Sequence, residues 1–167
     1  MYRTALLDDS DKNAYYAQLR HELLDLIEYE DGWLPALCNT AALLGHQLRD
    51  INWVGFYLVK NGLLVLGPFQ GKPACSAIAI GNGVCGTAAE QGATILVPDV
   101  HEFPGHIACD QASQSEIVVP VLVEGRVVAV LDIDSPVPNR FSHEDALGLE
   151  SLTALLADHL GWTSVSF

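Results

Sequence analysis

Three of the four cysteines of this 167-residue chain fall in the stretch from Cys75 to Asp134, with carboxylates set into its apolar runs. Cys75, Cys85 and Cys109 come first. Glu116 follows in the apolar run SEIVVPVLV, and Asp132 and Asp134 in VVAVLDIDSP. Thiols near carboxylates in an apolar scaffold point to redox or nucleophilic chemistry. Cys85 follows Gly81-Asn82-Gly83-Val84 and opens a short helix, where N–H groups and the helix dipole lower a thiol's pKa. Cys75 lies in or beside a strand and Cys109 in a loop. A disulfide from Cys109 to either of the others is open at this level. Cys38, beside Leu37, Ala41 and Ala42, reads as inert core.

Strand parity sorts the other residues. Side chains alternate across a strand, so Asp132 and Asp134 share a face with Val128 and Val130. Val127, Ala129, Leu131 and Ile133 take the core face. A hairpin turning at Glu124-Gly125 sets Glu116 roughly opposite Asp134, with Asp132 one pair further in. Three carboxylates so close are costly unless they hold a cation, share a proton or meet donors. An ammonium group suits them, and one with a raised pKa can serve as an acid. The blander reading has Asp134 capping the turn before Pro136. In NWVGFYL, Trp53, Gly55 and Tyr57 share one face, two aromatics around a residue with no side chain, which makes a shallow recess. The alternative is that both rings pack under a helix.

Two other chemistries use the same residue types. Cys75, Cys85, Cys109, His101 and His106 could ligate a metal, but there is no CxxC and no HxxxH. A cysteine hydrolase with His101 or His106 as base lacks a nucleophile-elbow signature.

The positioning elements follow from periodicity. Asp11 caps a first helix with Tyr15, Leu19, Leu23, Leu26 and Ile27 on its apolar face, ending at Gly32. A second follows Pro35, with Leu37, Ala41, Leu44 and Leu48 inward. NWVGFYLVK and LLVLGPF form a hairpin at Asn61-Gly62. A third strand near ACSAIAI leads through Gly81-Asn82-Gly83 to the short helix VCGTAAEQG. ATILV is a brief strand. Residues 100–113 read as a functional loop with one helical turn. EIVVPVLV and RVVAVLDID pair, and Ser142 with Asp145 starts a last helix whose apolar face runs through Leu147, Leu149, Leu152, Leu155, Leu156 and Leu160. Tight turns between consecutive strands favour an α+β fold with a mostly antiparallel sheet. The N- and C-terminal helices cover one face; the short helix and loop cover the other. Residues 1–167 read as one domain.

Lys plus Arg is 8 and Asp plus Glu is 21, a net charge of −13. That balance disfavours nucleic acid and anionic membranes as partners. No signal-peptide pattern or membrane-length apolar run is present, so a cytoplasmic protein with reduced thiols is expected.

NWVGFYLV, LGPFQGKPAC, GNGVCGTAAE, VPDVHEFPGHIACD, SEIVVPV and VLDIDSP closely resemble the free methionine-(R)-sulfoxide reductases, small enzymes on the GAF fold. The resemblance covers nearly the whole chain, to FSHEDALGLESL, and Cys38 is an extra thiol. It implies a six-stranded antiparallel sheet with helices on both sides. It also implies reduction of the R epimer of free methionine sulfoxide, with no cofactor and no metal. A thiolate attacks the sulfoxide sulfur, methionine leaves, and the sulfenic acid condenses with a second thiol to a disulfide that thioredoxin reduces. By motif, Cys109 in GHIACD attacks and Cys75 in KPAC resolves. Cys85 in GVCGTA is the other candidate for either role, the one the helix-dipole argument favours as reactive. Glu116, Asp132 and Asp134 would hold the substrate ammonium and protonate the departing oxygen, and Trp53 and Tyr57 would flank the S-methyl group. The loop of residues 100–113 would close over the ligand. A GAF-type homodimer is compatible with the chain. The rival from another class is a non-catalytic GAF ligand-binding or sensor module.

Overall fold

The computed structural model describes residues 5–28, 32–105 and 110–162. Helices α1 (Lys12–Ile27) and α2 (Trp33–Gln47) precede the hairpin of β1 (Trp53–Lys60) and β2 (Leu63–Gly71). Strand β3 (Ala77–Ala79), helix α3 (Gly83–Gln91) and strand β4 (Ile95–Val97) follow. A 3-10 turn over Val100–Glu102 leads to β5 (Ser115–Val123), β6 (Arg126–Ser135) and α4 (His143–His159). The six strands form one antiparallel sheet in the order β3-β2-β1-β6-β5-β4.

Alternation along the strands divides the interior in two. Val54, Phe56 and Leu58 face a large core against α1, α2 and α4. Trp53, Tyr57, Val118 and Val130 face a smaller one with Val84, Cys85 and Ala88 of α3, and Val100. The expected placement of helices is therefore the observed one. Asn61 (φ 51) and Gly62 (φ 78) make the tight hairpin turn, the backbone that two-residue connections require.

The helices are fastened at their ends. Asp11 caps α1 by accepting from the N–H groups of Asn13 at 3.0 Å and Ala14 at 3.2 Å. Ser142 and Asp145 form the reciprocal capping box of α4. Asp145 also accepts from Tyr16 Oη at 2.8 Å and pairs with Lys12, both on α1. Burial pushes the Asp145 carboxyl up, but Lys12, the Ser142 N–H and Tyr16 together hold it below the usual range.

Several expectations need correction. α1 stops at Ile27, and Gly32 instead precedes α2 as its N-cap. α2 begins at Trp33, so Pro35 lies in its first turn, where no N–H partner is lost. Cys38 is exposed. The buried face of α2 runs through Ala36, Leu37, Thr40, Ala41 and Leu44, and Cys38 falls beyond its edge. Leu147 is 53% exposed, because a residue two places from Leu149 points away from it on a helix.

At Gly148, α4 comes against α1 with no room for a side chain. A Cβ there would sit 2.1 Å from Tyr16 Cγ. Gly-to-Ala in a helix normally stabilises by about 1 kcal/mol. Here Gly148→Ala is expected to destabilise the protein by roughly 1–3 kcal/mol, the range for overpacking. Urea unfolding checks it; a raised midpoint would refute the close packing.

Candidate active site

The candidate residues are brought together by register. β1 lies between β2 and β6, with Trp53 opposite Asp134 and Gly55 opposite Asp132. On the other side of β6, Glu116 stands opposite Asp134, and Val118 opposite Asp132. The turn Glu124-Gly125 pairs Val123 with Arg126. Counting straight back from that pair would set Glu116 opposite Ile133. Val128, an extra residue in β6, shifts the ladder by one and delivers Asp134, the partner expected from the Glu124-Gly125 turn. The same bulge reverses parity behind it. Val128 packs on the large core and Val127 on the small one, the opposite of the simple alternation.

The small core holds the chemistry. One ligand atom each from Cys85, Glu116 and Asp132 lie within 4.8 Å of one another. Their residues are 4%, 5% and 7% exposed. The carboxylate of Asp132 shares hydrogen bonds with Cys85 and Glu116, while its Oδ1 is buried with no partner. The three donors could hold a metal ion or an ammonium group. This set differs from the thiol–histidine set of the metal reading, whose His101 is exposed.

Electrostatics follow from burial. Desolvation first, and the charge of Asp134 second, push Glu116 well above the usual carboxylate range. Asp132 is raised by burial and then by Glu116, and Asp134 by burial and then by Asp132. The Cys85 thiol is pushed well above its ordinary value by burial and by the three carboxylates. Cys85 does stand in the first turn of α3, yet the expected lowering of its pKa does not occur. Burial of the thiol first, and the neighbouring carboxylates second, outweigh the helix dipole. Gly86 is needed beneath it: a Cβ would meet Ala79 O at 2.5 Å.

Asp134 does not cap the turn before Pro136. Ser135 Oγ accepts there from Val137 N–H at 3.0 Å, and Ser115 Oγ donates to Val137 O at 2.7 Å. Asp134 instead hydrogen-bonds Ser113 and lines the cavity.

The aromatic face is real, but its recess is filled. Trp53 stacks on Phe69 at 5.3 Å and lies beside Tyr57 at 6.0 Å. A Cβ on Gly55 would be 2.4 Å from Phe69 Cβ and 2.7 Å from the Trp53 ring. Phe69 was not foreseen. The straight hairpin count from Asn61-Gly62 puts Pro68 opposite Gly55; an extra residue in β2 puts Phe69 there. Ala74, Ile78, Asn82, Asp110 and Ser113, also unforeseen, line the cavity with the carboxylates, Cys85, Trp53 and Tyr57. Ile78 lies on the short edge strand β3 and Asn82 stands at the N-cap of α3, while Ala74, Asp110 and Ser113 come from loops, which leave no period in the sequence.

Trp53 Nε1 donates to Lys72 O at 3.0 Å and Tyr57 Oη to Cys75 O at 3.0 Å, which fixes the segment bearing Cys75 against the aromatics. Cys75 stands just before β3 and is half-buried. Cys109 and His106 lie outside the described residues. The cavity is narrow, about 30 Å³, so a ligand larger than a water must widen it.

Comparison with known proteins places this geometry. The GAF domain model matches residues 34–161. A free methionine-R-sulfoxide reductase of Escherichia coli is 50% identical over 153 residues, covering 92% of this chain and 93% of its own. Protein YtsP of Bacillus subtilis is 53% identical over 137 residues, covering 81% and 84%. The crystal structure of a free methionine-R-sulfoxide reductase from Neisseria meningitidis, in complex with its substrate, superposes with a TM-score of 0.91 at 41% identity, covering 98% of both chains. By sequence and by fold, the chain belongs to the free methionine-R-sulfoxide reductase family of GAF-domain proteins.

Proposed function

We propose that this chain, acting as one catalytic domain over residues 1–167, reduces the R epimer of free methionine sulfoxide to methionine. The carrying observation is the buried group of Cys85, Glu116 and Asp132 beside the Trp53–Tyr57 aromatics in one cavity. A free amino acid has an ammonium group that a buried carboxylate can pair with. A residue inside a peptide has none, and its binding would leave those carboxylates without a partner. Asn82, Gly83 and Val84, at the start of α3, line the same cavity. They suit the substrate carboxylate, because a helix N-terminus favours anions. Trp53 and Tyr57 flank the S-methyl group.

The reaction then divides by residue. The Cys109 thiolate attacks the sulfoxide sulfur, the oxygen passes to the thiol sulfur, and methionine leaves. Cys75 condenses with the sulfenic acid to a disulfide and releases water. Thioredoxin returns two electrons and two protons by thiol–disulfide exchange. The raised pKa of Cys85 supports giving the attack to Cys109, since the thiolate is the nucleophile. Asp132, whose carboxyl burial raises above the ordinary range, donates to the sulfoxide oxygen, and Asp134 with Glu116 takes the ammonium. The protein works in a reducing, cytoplasmic compartment.

An NADPH-coupled assay with thioredoxin and thioredoxin reductase tests the reading on separated epimers and on N-acetylmethionine sulfoxide. Turnover with the free R epimer alone is expected. No turnover with any of them would leave a GAF binding module without catalysis. In single-turnover reactions, Cys109→Ser is expected to make no methionine, whereas Cys75→Ser makes one per chain. A full equivalent from Cys109→Ser would move the attack to another thiol. Asp134→Asn is expected to raise KM by roughly 10- to 100-fold, the loss of one charge-assisted hydrogen bond; an unchanged KM would remove Asp134 from the ammonium site.

The cluster also sets a pH dependence. The unfolded chain releases these protons near the ordinary values of 4.5 for Glu116 and 3.8 for Asp132. The folded chain keeps them to higher pH. It therefore binds more protons above about pH 4, and its stability falls as pH rises through the folded-state values. Asp132→Asn is expected to lose less stability than the wild type between about pH 5 and 8. Parallel melting curves would contradict this.

A further inference from the structure

Two segments meet at the cavity mouth. One runs from Lys72 to Cys75, and the other begins with Asp110, the residue directly after Cys109. Lys72 Nζ lies 3.2 Å from Asp110 Oδ1 and 3.0 Å from Oδ2. The Lys72 side chain is 70% exposed, while that of Asp110 is 11% exposed. Asp110 is held from its own side: Ala112 N–H donates to Oδ1 at 3.0 Å and Asn52 Nδ2 to Oδ2 at 3.2 Å. Asn52 Nδ2 also donates to Ser113 Oγ at 3.1 Å, and Ser113 hydrogen-bonds Asp134. Lys72 is held by its backbone, whose carbonyl accepts from Trp53 Nε1 at 3.0 Å. The ion pair therefore joins the aromatic wall to the carboxylate wall, close in the chain to a thiol on each side.

We propose that Lys72 is a positioning residue for disulfide closure. Its ion pair with Asp110 sets the approach of the Cys75 segment to the segment that follows Cys109. The inference rests on the assignment of Cys109 and Cys75 to attack and resolution. Condensation joins the Cys75 sulfur to the sulfenic sulfur of Cys109, breaks the S–O bond and releases water. The two sulfurs must come to bonding distance, about 2 Å, and a misplacement of about 1 Å can cost large factors in rate. Lys72 meets the cavity lining through Asp110. An ion pair this exposed adds little to global stability and weakens in salt, so its effect on closure separates from any effect on folding.

The test uses the full-length reduced protein, wild type against Lys72→Ala and Lys72→Arg. Rapid quenching follows first-turnover methionine and, by dimedone trapping and mass spectrometry, the lifetime of the sulfenic acid. Lys72→Ala is expected to slow closure by up to about fivefold, the range for an exposed ion pair. First-turnover methionine and the melting temperature should not change, and Lys72→Arg should restore the rate. Salt near 1 M should slow the wild type to the Lys72→Ala rate and leave Lys72→Ala as it is. Equal closure rates for wild type and Lys72→Ala at low salt would overturn the proposal. A parallel oxidation with diamide needs no sulfoxide: diamide takes two hydrogens as the Cys75–Cys109 disulfide forms. If the wild type makes no methionine, the reductase reading fails. The diamide rates then decide the role of Lys72 by the same comparison.

Discussion

Three carboxylates and a thiol share one small, buried cavity, where each charge is costly. Burial alone raises each group, and mutual repulsion raises them further. Each group therefore keeps its proton to higher pH than it would in water, and a cation entering the cavity would relieve the repulsion. A buried Asp132 Oδ1 with no partner is the residue of that conflict. An unpaired polar atom of this kind is rare in an ordinary core, and in a buried acidic cluster it marks a candidate functional site.

The scaffold tolerates this because its stability comes from elsewhere. The large core, with α1, α2 and α4 on one face of the sheet, contains most of the fully buried aliphatic side chains. The acidic cavity lies on the opposite face, under α3 and the loop after β4. Central strands β1 and β6 serve both faces at once. Val54, Phe56, Leu131 and Ile133 pack the core, while Trp53, Tyr57, Asp132 and Asp134 line the cavity. Period-two alternation thus separates stability from chemistry within the same strands.

Much of this was legible in order. Helical spacing, the Asn61-Gly62 turn and the Ser142–Asp145 box marked the elements, because each depends on interactions within a few residues. Parity grouped Asp132 with Asp134 and Trp53 with Tyr57 for the same reason. The errors share a cause. Cys38 looked like core beside Leu37, but the edge of a helix's buried face depends on what packs on it. Cys85 looked activated at a helix start, but its pKa answers to burial and to carboxylates on β5 and β6, all set by segments remote in sequence. Phe69 and the lining from Asn82, Asp110 and Ser113 carried no local signal at all.

The sequence by itself determined which residues alternate onto the chemical face, where the turns fall and which family motifs are present, since all of these are local or patterned. Tertiary structure decided the register. Extra residues in β2 and β6 each shift a ladder by one, bringing Phe69 against Gly55 and Asp134 against Glu116. A one-residue slip would turn every side chain on a strand to the other face. Whether a bulge occurs is set by packing on both faces of the sheet, which no single segment records. The same holds for the protons in the cavity: the residue types permit several charge states, and only their enclosure together selects one.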